Sequence, residues 1–191
     1  ETAAVRATQG WAGLAPEAKC ERLLRAAGEV FARSGLDAPM SEVAEAAGAG
    51  VASIYRQFPS KHELLAALVI RRMDEHVEAA AQARQRAGDR WSALVEMLRR
   101  LVETQSADDF MGEARALVAG HPDVEAATER AATALEGLLC EARAEGRLRA
   151  DATVLDLRLL FAATRAAKRV EPEQWPRMLE LLIDALDSHR S

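Results

Sequence analysis

SEVAEAAGAGVASIYRQFPSKHELL, residues 41–65, decides the fold. Two short helical patterns meet there at a glycine-containing turn, and Tyr55-Arg56-Gln57-Phe58 follows at once. Such an arrangement presents a small helix to the major groove of DNA. Ser41 is placed to cap the first helix, its hydroxyl accepting a bond from a backbone N–H that has no partner inside the helix. Val43, Ala44 and Ala47 form the inward side of that helix, and Gly48 ends it, because the turn needs a left-handed residue. The next helix, about Val51 to Phe58, sets Ile54 and Phe58 at i and i+4, pointing inward. Pro59 breaks it. Ser60 and Glu63 then read as a capping box for a long helix.

If Ile54 and Phe58 anchor the short helix, its other side carries Val51, Ala52, Ser53, Tyr55, Arg56 and Gln57. These types suit a groove. Hydroxyls serve phosphates, a guanidinium serves phosphate or guanine, an amide serves phosphate or a base edge, and small apolar groups meet thymine methyls. Lys61 opens the next helix, where an ammonium and the free N–H groups of a first turn can face a phosphate.

Working outward, a helix is expected from about Pro16 to Ser34, with Pro16 in its first turn and Gly35 as its stop. Leu24, Ala27 and Phe31 share one face of it. Beyond the long helix (about Lys61 to Ala87), further helices are expected over Asp89 to Gln105, Asp108 to Ala119, Pro122 to Glu145 and Asp151 to Arg169. A last one starts near Pro172 or Pro176. Val154, Leu157 and Phe161 form one stripe of the penultimate helix, and Leu155, Leu159 and Ala162 another. Trp175, Leu179, Leu182 and Leu186 form a stripe on the last. Helices apolar on more than one side are buried from several directions, and a second copy of the chain is one source of that burial.

Ala, Leu, Arg and Glu dominate the composition, aromatic residues make up 4%, and no alternating strand pattern of useful length occurs. The fold class is therefore all-α. Net charge is −5, unevenly spread. Residues 1–61 hold seven Lys/Arg and seven Asp/Glu, so the acidic excess lies in residues 62–191. A neutral head is a weaker electrostatic footprint for DNA than a basic one. It motivates an alternative, a ligand-sensing or protein-interaction module of the same fold that does not bind DNA.

Cys20 and Cys140 sit far apart inside helical patterns and read as reduced thiols. His62, His76, His121 and His189 are scattered without metal-ligand spacing. No nucleophile elbow or phosphate-cradling loop is present. An enzyme, a cofactor and a metal site are thus not expected. No apolar run approaches a membrane span, and a soluble, cytoplasmic protein is the expectation.

Leu23-Leu24…Ala27…Phe31…Gly35, Val43-Ala44…Ala47-Gly48, Ile54-Tyr55…Phe58-Pro59-Ser60-Lys61 and Leu64-Leu65 form an ordered set. In that set the chain resembles the TetR family of bacterial transcriptional regulators. The resemblance implies an all-helical homodimer of about nine helices. It divides the chain into a flexible segment 1–14, a helix-turn-helix DNA-binding domain 15–61 and a ligand-binding and dimerisation domain 62–191. Tyr55, Gln57 and Lys61 would contact phosphates. Ser41, Ser53 and Arg56, with Val51 and Ala52, would sit at the groove or backbone of a double-stranded, near-palindromic operator.

A small-molecule effector would enter the body and shift helix 4, releasing the DNA, so the implied role is repression. Expected pocket residues are Met73, Val77, Trp91, Met97, Phe110, Met111, Arg115, Phe161 and Thr164, with Arg115 and Arg165 as the polar candidates. The expected dimer interface is Val154, Leu157, Phe161, Trp175, Leu179, Leu182 and Leu186. Two residues depart from the family pattern: Ala49, where valine is common, and Ala52, where glycine or threonine is frequent. A basic N-terminal arm is nearly absent.

Overall fold

The computed structural model describes residues 10–105, 110–171 and 173–190, without the side chains at 104, 105, 165, 168, 169, 175 and 190. Among these residues there are nine α-helices: α1 Pro16–Ser34, α2 Met40–Ala46, α3 Val51–Gln57, α4 Lys61–Arg86, α5 Arg90–Gln105, α6 Met111–Leu117, α7 Pro122–Ala144, α8 Val154–Val170 and α9 Trp175–Leu186. No strand forms among them; one isolated bridge joins Leu148 and Asp187. The all-α expectation holds. Asp108 and Pro172, expected near helix starts, and residues 1–9 of the N-terminal segment lie outside the described residues. The chain divides into two compact units, Glu1–Val69 with Phe110–Val124, and Ile70–Asp109 with Glu125–Ser191.

In the first unit, α1 turns Leu23, Leu24, Ala27, Val30 and Phe31 inward, each at most 5% exposed. α2 packs on α1, and α3 on α2. The α1–α2 corner is tied by Glu42, which accepts bonds from Arg33 (2.9 Å) and Ser34 (3.0 Å). Helix α2 begins one residue before the expected serine cap. Pro39 holds the cap position with φ −74° and no side-chain bond, and the buried Met40 takes the first helical place. Ser41 therefore lies inside the first turn, exposed, and does not cap.

Gly48 makes the α2–α3 turn with φ +64°, and Ala49 N–H closes it on Ala44 O at 2.8 Å. The same glycine leaves room for Arg22, whose Nη2 would lie 3.1 Å from a Cβ there. At the start of α4, Ser60 Oγ accepts from Glu63 N–H at 3.1 Å. The return half of the expected box is replaced: the Glu63 carboxylate lies 3.6 Å from His121 Nε2.

The second unit has its core among α4, α5, α7, α8 and α9, with Leu94, Leu138, Leu139 and Leu157 at or below 1% exposure. Each such side chain contributes roughly 1.5–3 kcal/mol of transfer free energy. Arg84 on α4 reaches α7, donating from Nε to Glu141 (2.9 Å) and from Nη2 to Ala134 O (3.2 Å). It fits because position 137 is glycine; a Cβ there would stand 2.6 Å from Nη2.

The first turn of α5 is capped from within and from afar. Asp89 accepts from Ser92 N–H at 2.8 Å. Glu145, just beyond α7, accepts from the N–H groups of Arg90 (2.9 Å) and Trp91 (3.2 Å). These bonds satisfy donors that a helix start leaves open. Helix α8 opens on a full capping box between Thr153 and Asp156, so it begins at Val154 and not at Asp151.

The end of α9 is clasped to the α7–α8 connection. Arg149 N–H bonds Leu186 O, Ser188 N–H bonds Arg147 O, and Arg147 Nη2 donates to the buried Asp187 at 2.9 Å. That bond holds the Asp187 carboxyl below its ordinary pKa against the opposing effect of burial. A carboxyl with a lowered folded pKa adds stability above its unfolded value, near pH 4, and loses it as pH falls through the folded value. Thermal unfolding scans should therefore show the melting temperature dropping on acidification below about pH 4. Asp187→Asn should be less stable at neutral pH and less sensitive to that acidification. In the other unit, Gly48→Ala should cost about 1–2 kcal/mol, since only glycine takes a left-handed turn without a Cβ penalty; urea titration measures it.

Candidate nucleic-acid interface

Helix α3 is seven residues long, too short to be stable alone. It exists because one side is buried: Ile54 is 0% and Phe58 6% exposed. Its start is set by Gly50 in extended backbone, whose carbonyl accepts from Ser53 N–H at 2.8 Å. Its end is set by Phe58, which leaves helical geometry while its N–H still bonds Ile54 O.

The opposite side stands in solvent. Val51 is 47% and Tyr55 48% exposed, and Ala52, Arg56 and Gln57 are exposed with them. Ser53 is half-buried, its hydroxyl accepting from Arg56 Nη2 at 2.9 Å. Arg56 is thereby held along the outer row of the helix, leaving further N–H donors for an acceptor outside the protein. Ser41 adds an exposed hydroxyl in the first turn of α2.

Lys61 opens α4 as expected, and its ammonium folds back onto the head. Its Nζ donates to Ala38 O at 2.9 Å and stands 5.6 Å from the centre of the Phe31 ring. The side chain is half-buried, folded along the head rather than extended into solvent. An ammonium has three donors, so one bond to Ala38 leaves two.

The residues expected to line a pocket are divided between the two units. Phe110, Met111 and Arg115 belong to the first unit, with Phe110 7% exposed and stacked edge-on to Phe31 and Arg115 exposed. Met73 and Met97 are buried, 9% and 2% exposed, and Val77 is half-buried. Phe161 and Thr164 line a narrow apolar seam with Leu98 of α5 and Leu182 of α9, its free space about 10 Å³, enough for one water. The Thr164 hydroxyl donates to Leu160 O at 2.9 Å. Trp91 floors an open groove of about 730 Å³ along α5, edged by Arg86, Glu96, Arg99 and Arg100. The Arg165 side chain lies outside the described residues.

Much of the stripe expected at a subunit interface packs into the core of the chain itself. Leu157, Leu179 and Leu186 are at most 5% exposed, and Val154 and Phe161 pack against the same core. Leu182 is half-buried, and the Trp175 side chain lies outside the described residues. The other stripe of α8 is the open one. Leu155 and Leu159 are each 61% exposed, with Ala162, Ala163 and Ala166 beyond them and Leu181 of α9 at 47%. Periodicity marks both stripes of α8 and does not say which one the core takes. Among the described residues no group of three or more His, Cys, Asp or Glu is arranged to hold a metal ion, and no helix is long and apolar enough to cross a membrane.

Comparison with known proteins agrees with this architecture. The family model described as bacterial regulatory proteins, tetR family, matches residues 23–68. The model of the SbtR-like transcriptional regulator C-terminal domain matches residues 89–188. No curated protein matches. Among solved structures, the TetR transcriptional regulator SCO0520 from Streptomyces coelicolor is 27% identical, with a TM-score of 0.71 over 88% of this chain and 98% of its own. A TetR regulatory protein from Mycobacterium vanbaalenii is 29% identical, with a TM-score of 0.66 over 87% and 93%. FadR from Bacillus subtilis, solved with stearoyl-CoA, shares the fold at 18% identity, with a TM-score of 0.66 over 85% and 97%. The chain belongs to the TetR family of bacterial transcriptional regulators.

Proposed function

We propose that the protein is a ligand-responsive repressor that binds a near-palindromic operator as a homodimer. The observation that carries this reading is the outer row of α3. Ser53, Tyr55, Arg56 and Gln57 stand on a helix whose only buried anchors are Ile54 and Phe58. Tyr55, Gln57 and Lys61 contact phosphates; Ser41, Val51, Ala52, Ser53 and Arg56 meet the groove or backbone. The two copies of α3 enter successive major grooves, roughly 34–36 Å apart. Residues 15–61 carry this contact, and residues 62–191 carry the effector and the second copy.

The second copy meets the open stripe of α8, Leu155 and Leu159, continued by Leu181 of α9. Exposed leucines in such a row suit an isologous contact between identical faces. The effector binds the second unit, where Thr164, Phe161 and Trp91 border free space. FadR of Bacillus subtilis was solved with an acyl-CoA, which supports a small-molecule effector here. That effector shifts DNA affinity only by its differential affinity for the two states.

The test is binding to a duplex that the purified protein selects from a randomised pool, measured by fluorescence anisotropy at several salt concentrations. Arg56→Ala and Gln57→Ala should each weaken binding; the variant that loses a phosphate contact should lower the salt slope by about 1, and one that loses a base contact should relax specificity at one position. Failure to select any sequence, with no salt-dependent binding, would favour the non-DNA module that the neutral head suggests. Leu155→Glu combined with Leu159→Glu should convert a dimer to a monomer in analytical ultracentrifugation while helical content is kept.

A further inference from the structure

We propose that Phe110 is a positioning residue of the DNA interface, seating the Phe31 ring that in turn holds the ammonium of Lys61. The proposal rests on the reading that Lys61 meets a phosphate. Three contacts carry it, all within the first unit. The rings of Phe110 and Phe31 stand 6.0 Å apart at 61°, edge to face. Lys61 Nζ lies 5.6 Å from the Phe31 centre. The same Nζ donates to Ala38 O at 2.9 Å.

Each contact constrains the next. Phe31 is 1% and Phe110 7% exposed, so both rings are packed and the plane of Phe31 follows its edge-to-face partner. That plane fixes where the negative face of the ring points, and a cation is drawn to that face. The Ala38 carbonyl supplies a second, directional restraint on the same ammonium. A lysine on a four-carbon stem otherwise loses rotamer freedom when it meets a phosphate. Here that ordering is complete before DNA arrives, and two N–H donors remain for the phosphate. Phe110 immediately precedes α6, so a shift at the start of that helix reaches Lys61 through one intervening ring.

The test is a double-mutant cycle on the pool-selected duplex, with wild type, Phe110→Leu, Lys61→Met and the double variant compared for affinity and salt slope. Lys61→Met should lower the slope by about 1. Phe110→Leu should weaken binding by about 3- to 10-fold, and the double variant should bind within about two-fold of Lys61→Met alone. Effects that multiply would overturn the positioning role and leave the phosphate contact standing. An unchanged slope and affinity for Lys61→Met would overturn both. A readout without DNA accompanies the cycle: the Lys61 methylene proton resonances, shifted upfield by the Phe31 ring, should move toward ordinary lysine values in Phe110→Leu. Unmoved resonances would sink the proposal.

Discussion

The burial of Ile54 and Phe58 against the head is the contact on which the rest of the interface depends. A helix of seven residues has too few internal bonds to repay its nucleation. Tertiary packing supplies the difference, and it does so through residues four apart, which leaves the opposite arc uncovered. Exposure of Tyr55, Arg56 and Gln57 is thus a geometric consequence of which two side chains the core accepts. Gly48 completes the arrangement by letting α2 and α3 turn tightly enough for Ile54 to reach that core.

The second unit is held by a different principle. Its leucine core would leave helix ends raw, and the ends are closed by charged groups brought from distant parts of the chain. Glu145 covers the start of α5, and Asp187 and Arg147 fasten the end of α9. Arg147 also lies 5.4 Å from the centre of the Trp91 ring, so one guanidinium serves an ion pair and an aromatic face together. Charged hydrogen bonds of this kind are stronger than neutral ones, and they fix helix ends that aliphatic packing alone would leave free to slide.

Most of the fold was legible in the chain because glycine and proline punctuate it. Pro16, Gly35, Gly48, Pro59 and Pro122 stand at helix ends in the structure as they do in the pattern. The outer row of α3 was legible for the same reason, since i and i+4 anchors define their complement. Three things were not. On α8 the stripes Val154-Leu157-Phe161 and Leu155-Leu159-Ala162 are both apolar, and only three-dimensional packing decides that Leu157 goes inside. The family resemblance, which places a cavity among helices 4 to 8, makes Phe110 an expected pocket residue. Its association with Phe31 depends on a long-range return of the chain, for which no local period gives a signal. Lys61 stands at its helix start as the pattern expects, but its bond to Ala38 O depends on a loop conformation that spacing does not encode.

The closeness of α4 and α7 at Arg84 has a consequence for how this sequence can drift. A Cβ at 137 and a guanidinium at 84 claim the same space, so the two cannot coexist without displacement of one. Loss of the arginine in turn takes away the nearest partner of the Glu141 carboxylate, which keeps a longer ion pair to Arg90 at 3.8 Å. Positions 84 and 137 are therefore heritable as a pair: a lineage that enlarges the second must redirect or shorten the first, while the acid at 141 can still pair with Arg90.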